Sequence, residues 1–251
     1  MQVFTYSGAR FSPYGDEERP GASDTPGTAG DWLAPRATGP LAARVRLPGS
    51  KSLTNRELVL SALADAPSLL RRPLHSRDSM LMIEALRSLG VRIEQVPGDG
   101  AYGPDLLVTP PAELAGSTAI DCGLAGTVMR FLPPVAALAL GPVAFDGDEG
   151  ARRRPMRTTI DSLRALGVDV NDDGRGALPF SLWGTGAVRG GEVAIDASAS
   201  SQFVSGLLLA APRFTEGLVL RHTGERLPSM PHIEMTIAAL ADRGATVESP
   251  G

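Results

Sequence analysis

The feature that most limits the possible folds of this 251-residue chain is a segment that occurs three times. The copies are Ile83-Glu-Ala-Leu-Arg-Ser-Leu-Gly-Val-Arg-Ile93, Ile160-Asp-Ser-Leu-Arg-Ala-Leu-Gly-Val-Asp-Val170 and Ile237-Ala-Ala-Leu-Ala-Asp-Arg-Gly-Ala-Thr-Val247. Their glycines, Gly90, Gly167 and Gly244, stand at equal intervals of 77 residues. An internal repeat fixes the architecture of a chain before any motif is considered. The sequence therefore predicts one structural unit that is used three times.

Each repeated segment predicts a helix, a cap and a strand, because apolar residues at helical spacing are followed by a glycine and an alternating stretch. A second helix is predicted earlier in each unit, starting near Leu53, Thr127 and Gln202. Pro133-Pro134 predicts that the helix near Thr127 is short or restarts. The unit order is thus strand, helix, strand, helix, strand, strand. Mixed pairing is expected because some strands follow one another without a helix.

These units predict an α/β fold with a threefold repeat. The third copy is cut short after its second helix and the strand at Thr246-Val-Glu248. Folded structure is predicted from Leu41 onward, because Ala43-Arg-Val-Arg-Leu47 alternates like a strand. Residues 1–40 are rich in turn formers and are expected to form a flexible tail, which leaves residues 41–251 as the domain.

Charge and apolar patterning exclude several classes of partner. The formal net charge of -4 argues against broad binding to nucleic acid or to a membrane surface, which needs a basic surface. No apolar run approaches the roughly 18 residues of a membrane span, and the N-terminus does not resemble a secretory signal. A single cysteine cannot form an internal disulfide. We therefore expect a cytoplasmic protein that holds any anionic ligand with a local cation cluster, such as Arg152-Arg153-Arg154.

Three predicted helix starts share small polar residues that suit anion binding. They follow the segments Leu47-Pro-Gly-Ser-Lys-Ser52, Asp121-Cys-Gly-Leu-Ala-Gly126 and Asp196-Ala-Ser-Ala-Ser-Ser201. Free amides and the positive dipole end of a helix bind anions, so three such ends could converge on one ligand. Simple helix capping is the alternative for each segment taken alone. Lys51 favours a ligand, since a cation is unfavourable at a helix N-terminus unless an anion offsets it.

Five short motifs, in order along the chain, resemble the 5-enolpyruvylshikimate-3-phosphate synthase (EPSP synthase) family. They are Leu47-Pro-Gly-Ser-Lys-Ser52 with Arg56, Ala125-Gly-Thr-Val-Met-Arg130, Arg154-Pro155, Ser200-Ser-Gln-Phe203 and Pro228-Ser-Met-Pro-His232. The resemblance runs from about Leu41 to the last residue. It implies the enolpyruvyl transferase-like fold, which has two domains of three repeat units each, with the substrates in the cleft between them. This chain would hold most of one domain.

The resemblance also implies a reaction and its site residues. In the family, the 5-hydroxyl of shikimate-3-phosphate adds to C2 of phosphoenolpyruvate, and the intermediate then expels phosphate. Neither a metal nor a cofactor is implied. Carried over by motif, the residues for shikimate-3-phosphate are Lys51, Ser52, Arg56, Ser200, Ser201, Gln202 and Ser229. Those for phosphoenolpyruvate are Lys51, Gly126, Arg154 and Gln202, and the catalytic pair would be Lys51 and Gln202. Arg56 would hold the shikimate carboxylate through two parallel hydrogen bonds.

Two departures from the family pattern affect these expectations. Phe131 stands where the family usually has proline, and His232 stands where a tyrosine is common. The family's aspartate and glutamate for proton transfer, with further cations that clamp phosphoenolpyruvate, belong to a C-terminal half that this chain does not include. We therefore expect most of the acid–base machinery to be missing from this chain.

Two other readings of the same residues remain. The related UDP-N-acetylglucosamine enolpyruvyl transferases share the fold, but they have Lys-Asn in place of Lys51-Ser52 and a cysteine in the loop that matches Gly150 to Arg154. The second reading is a non-catalytic fragment that binds shikimate-3-phosphate. The family resemblance implies a monomer, and this chain could pair with a separate C-terminal half.

Overall fold

The computed structural model describes residues 36–40, 42–98 and 102–249. The helices within these residues are α1 (Lys51–Ala62), α2 (Arg77–Ser88), α3 (Gly126–Ala136), α4 (Glu149–Arg152), α5 (Arg157–Ala165), α6 (Gln202–Ala210) and α7 (Met230–Ala241), with a short 3-10 helix at Ala211–Arg213. The strands are β1 (Ser68–Leu70), β2 (Arg92–Val96), β3 (Asp105–Thr109), β4 (Thr118–Asp121), β5 (Leu140–Asp146), β6 (Asp169–Asn171), β7 (Phe180–Thr185), β8 (Gly191–Ile195) and β9 (Leu218–His222). None of the described helices has the length and apolar character needed to cross a membrane.

The described strands form three sheets. The first sheet has the order β1-β3-β2 and is antiparallel. The second has the order β4-β5-β7-β6, in which β4 runs parallel to β5 and the other pairs are antiparallel. The third consists of the parallel pair β8-β9. The predicted α/β class with mixed strand pairing is therefore confirmed.

The repeated glycines end three helices in the same way. Gly90, Gly167 and Gly244 have φ values of 91°, 85° and 81°, in the left-handed region that glycine tolerates best. In each case the next residue donates its N–H to a carbonyl five residues back. These bonds are Val91 to Leu86 at 3.0 Å, Val168 to Leu163 at 2.9 Å and Ala245 to Leu240 at 3.0 Å. All three units thus use the same glycine cap, as the sequence predicted.

Helices α3 and α6 form the centre of the core. Every residue of α3 is buried, including the charged Arg130 and the polar Thr127. Gly206 of α6 lies against the backbone of α3, and a methyl group at this position would come within 2.1 Å of the Arg130 carbonyl oxygen. Glycine is therefore required at this crossing, because any side chain would push the two helices apart.

The prediction that Pro133-Pro134 shortens or restarts this helix is wrong. Helix α3 continues from Gly126 to Ala136 through both prolines. Proline removes the N–H that would bond to a carbonyl four residues back, so Pro134 leaves the Arg130 carbonyl without its helical donor. Tight burial against α6 holds the helix together at this point, which sequence propensity does not take into account.

Two predicted strands do not form. Residues 42–49 contain no strand, and Val45 and Leu47 of the alternating stretch are 73% and 78% exposed. The segment Thr246-Val-Glu248 is likewise irregular. A short alternating stretch becomes a strand only where another strand pairs with it, and neither stretch has a strand partner among the described residues. The first and third units are therefore less complete than the second.

The part of the chain before the sheets is described only in part. Met1–Val45 form one unit and Arg46–Gly251 form another, which carries every helix and strand named above. In the first unit, residues 36–40 and 42–45 are exposed and have no helix or strand. The predicted flexible tail falls mostly on residues 1–35, which lie outside the described residues.

Candidate functional site

The three helix starts that were expected to converge lie together. Asn55 in α1 donates from Nδ2 to the Thr127 hydroxyl at the start of α3, over 2.6 Å, and both residues are buried. A methyl group built on Gly126 of α3 would lie 3.0 Å from Oε1 of Gln202, the first residue of α6. The N-terminal turns of α1, α3 and α6 therefore meet at one place, where their free amides add positive potential.

One part of this meeting point is the Arg56 cluster, which consists of Arg56, Ser205, Thr236 and the carbonyls of Ser52 and His232. Arg56 Nε donates to the Thr236 hydroxyl over 2.7 Å, and Nη1 donates to the Ser52 carbonyl over 2.9 Å. Nη2 donates to the Ser205 hydroxyl over 3.2 Å and to the His232 carbonyl over 2.9 Å. This one side chain thus joins α1 to α6 and α7.

The surroundings of Arg56 restrict what it can bind. The residue is 2% exposed, and burial lowers the pKa of its guanidinium to about 10. Its guanidinium carbon lies 5.1 Å from the ring centroid of Phe131, one of the departures from the family motif. Four hydrogen bonds to protein acceptors leave one of the five guanidinium N–H groups for a ligand. The expected pair of parallel bonds to a carboxylate would require Arg56 to exchange at least one of these partners.

A second part is the Arg154 cluster, which consists of Gly126, Arg154 and Gln202. A methyl group built on Gly126 would lie 2.8 Å from Arg154 Nη2 and 3.2 Å from Nη1, so these groups face a common space above the glycine backbone. Arg154 donates to the Leu124 carbonyl over 3.0 Å. No carboxylate pairs with Arg154 within residues 36–40, 42–98 and 102–249. This positive charge is therefore half-buried without a counterion.

Arg130 was quoted only as part of a motif, yet it belongs beside the Arg154 cluster. It is 3% exposed, and Nη2 donates to the Pro155 carbonyl over 3.1 Å. Its guanidinium carbon lies 5.7 Å from the ring centroid of Phe203. Burial, and then the neighbouring charge of Arg154, lowers the pKa of Arg130 to about 10. Two arginines without a described carboxylate partner give this region a strong positive potential.

Lys51 has a protein partner that the sequence argument did not foresee. Its Nζ lies 2.9 Å from Asp78 Oδ2, and Asp78 is in the first turn of α2. The two side chains are 53% and 25% exposed. Arg77, next to Asp78, pairs in turn with Asp148 at 2.7 Å. The unfavourable position of Lys51 at a helix start is thus offset by Asp78, and it does not by itself require an anionic ligand.

The three serines expected to bind phosphate differ in accessibility. Ser200 is half-buried, and its hydroxyl accepts a hydrogen bond from the Gln202 N–H over 3.2 Å. Ser201 is 4% exposed. Ser229 is exposed and precedes α7 in a left-handed conformation with φ of 54°, which is uncommon for serine. Ser200 and Ser229 are therefore the two that a ligand reaches most easily.

Comparisons with known proteins agree on one family. The model of the family "EPSP synthase (3-phosphoshikimate 1-carboxyvinyltransferase)" matches residues 35–251. A 3-phosphoshikimate 1-carboxyvinyltransferase of Kocuria rhizophila is 59% identical over 218 residues, which are 85% of this chain and 49% of that protein. The chain thus spans about half the length of this curated relative.

Solved structures show the same fold. EPSP synthase from Acinetobacter baumannii aligns with a TM-score of 0.65 and 25% identity, over 82% of this chain and 45% of that one. The enolpyruvyl transferase NikO from Streptomyces tendae aligns with a TM-score of 0.55 and 18% identity, over 82% and 46% of the two chains. The second alignment supports the fold alone.

Proposed function

Because this chain belongs to the EPSP synthase family, we propose that it forms the part of such an enzyme that binds shikimate-3-phosphate and one side of phosphoenolpyruvate. The reaction of the whole enzyme moves the enolpyruvyl group of phosphoenolpyruvate to the 5-hydroxyl of shikimate-3-phosphate and releases phosphate. In this proposal the chain works in the cytoplasm and in aromatic amino-acid biosynthesis. Both of its substrates are anions, so the site must be positive.

The observation that supports this proposal best is the Arg154 cluster. The Arg154 guanidinium and the Gln202 side-chain oxygen lie around one small space next to Gly126, and no described carboxylate neutralises the arginine. Arg130 adds a fully buried positive charge next to the half-buried Arg154. Uncompensated buried charge is costly, and a bound anion relieves that cost. We therefore assign the phosphoenolpyruvate site to Gly126, Arg154 and Gln202.

Shikimate-3-phosphate would lie across the remaining helix starts. Ser200, Ser201 and Ser229 would hold its phosphate, with Gln202 over the ring. Ser52 and Arg56 would hold its carboxylate at the opposite end. Since Arg56 has one N–H group left, we propose that the carboxylate replaces the His232 carbonyl as a partner of this side chain. Substrate binding at Arg56 would then be coupled to the position of α7.

Lys51 would lie at the junction of the two substrates. Its ammonium is paired with Asp78, so it would have to turn away from that carboxylate in order to contact a substrate. The Lys51 side chain is 53% exposed, so solvent screens the pair, and giving up this contact costs little. Gln202 lies within reach of the Gly126 backbone and would contact the reacting centre.

The proton-transfer groups are the part of the site that the chain does not provide in this proposal. Asp78 is paired with Lys51 and Asp148 with Arg77, and the family resemblance assigns the aspartate and glutamate for proton transfer to the C-terminal half. We therefore propose that a C-terminal half, in the same or a separate chain, supplies the acid and base. The isolated chain would act as a monomeric binding module.

The test combines binding and turnover. Isothermal titration of the purified chain should show binding of shikimate-3-phosphate that is tighter than binding of shikimate. Phosphate release from shikimate-3-phosphate and phosphoenolpyruvate together should remain at background. A chain that binds neither ligand would contradict the proposed site. Steady release of phosphate by the chain alone would instead contradict the proposed division of the acid–base groups.

A further inference from the structure

We infer that His222 is a positioning residue for the 3-phosphate site, because it holds the loop of residues 196–201 in place through the backbone of Ala197. This inference rests on the proposed function, since it assigns a purpose to the loop that carries Ser200 and Ser201. His222 does not lie in any of the family motifs quoted above. Its position at the end of a strand gave no sequence signal.

The sheet brings His222 to the beginning of this loop. Strands β8 and β9 run parallel, and the last residue of each is paired, Ile195 with His222. Thr223 continues the contact by donating its N–H to the Ile195 carbonyl over 3.0 Å. The imidazole Nδ1 of His222 then accepts a hydrogen bond from the Ala197 N–H over 3.2 Å. A rigid strand end thus fixes the second residue of the loop.

A chain of hydrogen bonds runs from this contact to the predicted ligand groups. The Ala197 carbonyl accepts from the Ser200 N–H over 3.0 Å. The Ser200 hydroxyl accepts from the Gln202 N–H over 3.2 Å. His222 therefore holds the peptide group before the Ala197 Cα, and Ser200 binds the carbonyl of the peptide group after it. Ser200 in turn binds the first residue of α6. A substitution at His222 should therefore displace the serine hydroxyls more than it disturbs the packing of the core.

The other side of the loop is packed against Gly224. A methyl group at this glycine would come within 2.1 Å of the Ser198 hydroxyl and 2.2 Å of Asp196 Oδ1. Asp196 Oδ1 in turn accepts from the Ser198 N–H over 2.9 Å. The loop is thus held between its own aspartate and the segment after β9. This close approach leaves the Ala197 peptide little freedom to turn away from His222.

The chemistry of the contact determines the state of the histidine. A backbone N–H can only donate, so Nδ1 must be an unprotonated acceptor and the proton must lie on Nε2. Nε2 is buried and has no hydrogen-bond partner among the described residues. An imidazolium has donors on both nitrogens and could not accept from Ala197. The pKa of the neighbouring Asp196 carboxyl is lowered, mainly by its hydrogen bonds from Ser198 and to a smaller extent by the electrostatic interaction with His222. His222 must therefore be neutral to hold the loop.

The experiment compares two variants and two ligands. His222→Asn keeps an acceptor near the position of Nδ1, whereas His222→Leu removes it at similar size. Titration calorimetry at pH 7.5 should show that His222→Leu binds shikimate-3-phosphate about three- to tenfold more weakly, while its affinity for shikimate, which lacks the phosphate, is unchanged. His222→Asn should bind both ligands as the unmodified chain does.

A purely structural role would give a different result. His222→Leu would then lose affinity for both ligands equally, or for neither, and either result would overturn the inference. An unmodified chain that binds shikimate as tightly as shikimate-3-phosphate would refute the phosphate site itself, and the inference with it. Nitrogen NMR of the unmodified chain tests the contact without any variant. The expected tautomer carries its proton on Nε2, and a proton on Nδ1 would also overturn the inference.

Discussion

The Arg56 cluster and the Arg154 cluster are both built around an arginine at the meeting point of the helix starts. The two arginines differ in burial and in the number of hydrogen bonds that they donate to the protein. Arg56 is 2% exposed and donates four hydrogen bonds to protein oxygens. Arg154 is half-buried and donates to one carbonyl oxygen, that of Leu124. Both residues were assigned to ligand binding from the sequence.

This difference suggests that one arginine stabilises the fold and the other is free to bind a ligand. A buried guanidinium whose donors are satisfied by several helices connects those helices, and its removal leaves their polar groups unpaired. A half-buried guanidinium with few protein partners keeps its donors for a ligand at little cost to folding. We therefore propose that Arg56 mainly stabilises the packing of the helices and that Arg154 mainly binds the ligand. The following predictions test this division.

The largest expected effect is the loss of stability in Arg56→Ala. Removing the side chain takes one donor away from each of Thr236, Ser205 and the His232 carbonyl and opens a cavity beside Phe131, so the free energy of unfolding should fall by about 3 kcal/mol. Urea denaturation followed by circular dichroism measures this change. Arg154→Ala is the matched control and should change stability by about 0.5 kcal/mol or less. An equal loss of unfolding free energy in the two variants would contradict the proposed difference between Arg56 and Arg154.

The next effect is on anion binding in Arg154→Ala. A charge-assisted hydrogen bond to phosphate or carboxylate contributes about 1.5–3 kcal/mol, so affinity for phosphoenolpyruvate should fall roughly ten- to a hundredfold. Titration calorimetry at fixed salt measures it. Arg153→Ala removes the same charge one residue earlier, where the side chain is exposed and paired with Glu149. If both variants bind equally well, the cluster is not the binding site.

The smallest effect is expected for Thr236→Val, which replaces a hydroxyl by a methyl group at nearly the same volume. The Thr236 hydroxyl accepts from Arg56 Nε and lies 2.9 Å from the Ser205 hydroxyl, so its loss should lower the free energy of unfolding by about 1 kcal/mol. Thermal unfolding measures the change. Because Arg56 stays in place, phosphoenolpyruvate binding should be unaffected. A large loss of that binding would show that the two clusters are not separate.

The sequence predicted the parts of this fold that depend on local patterns. Helical spacing and a following glycine identified α2, α5 and α7 and their caps, because cap geometry is decided within a few residues. The sequence also predicted that the helix starts could converge, because three of them carry similar small polar residues. The strand predicted at 43–47 failed because pairing, and not alternation, decides whether a strand forms.

The site was harder to predict than the fold. Arg56 donates to Thr236, which lies far along the chain, and Lys51 pairs with Asp78 of another helix. Neither of these two contacts can be predicted from residue spacing. His222 shows the same limit, because only the register of β8 and β9 brings it to Ala197. The motifs thus predicted which residues surround the candidate site, while the packing of distant segments determines which contacts each side chain makes.

The third sheet has a consequence for the handling of this chain. Within the described residues β9 pairs with β8 on one side only, and Val219, its second residue, is 53% exposed. An unpaired strand edge is a template for joining another molecule, and charged side chains discourage this. Arg221, bound to Glu192 of β8, is the permanent charge that β9 carries. Solubility at high protein concentration should therefore depend on this single arginine.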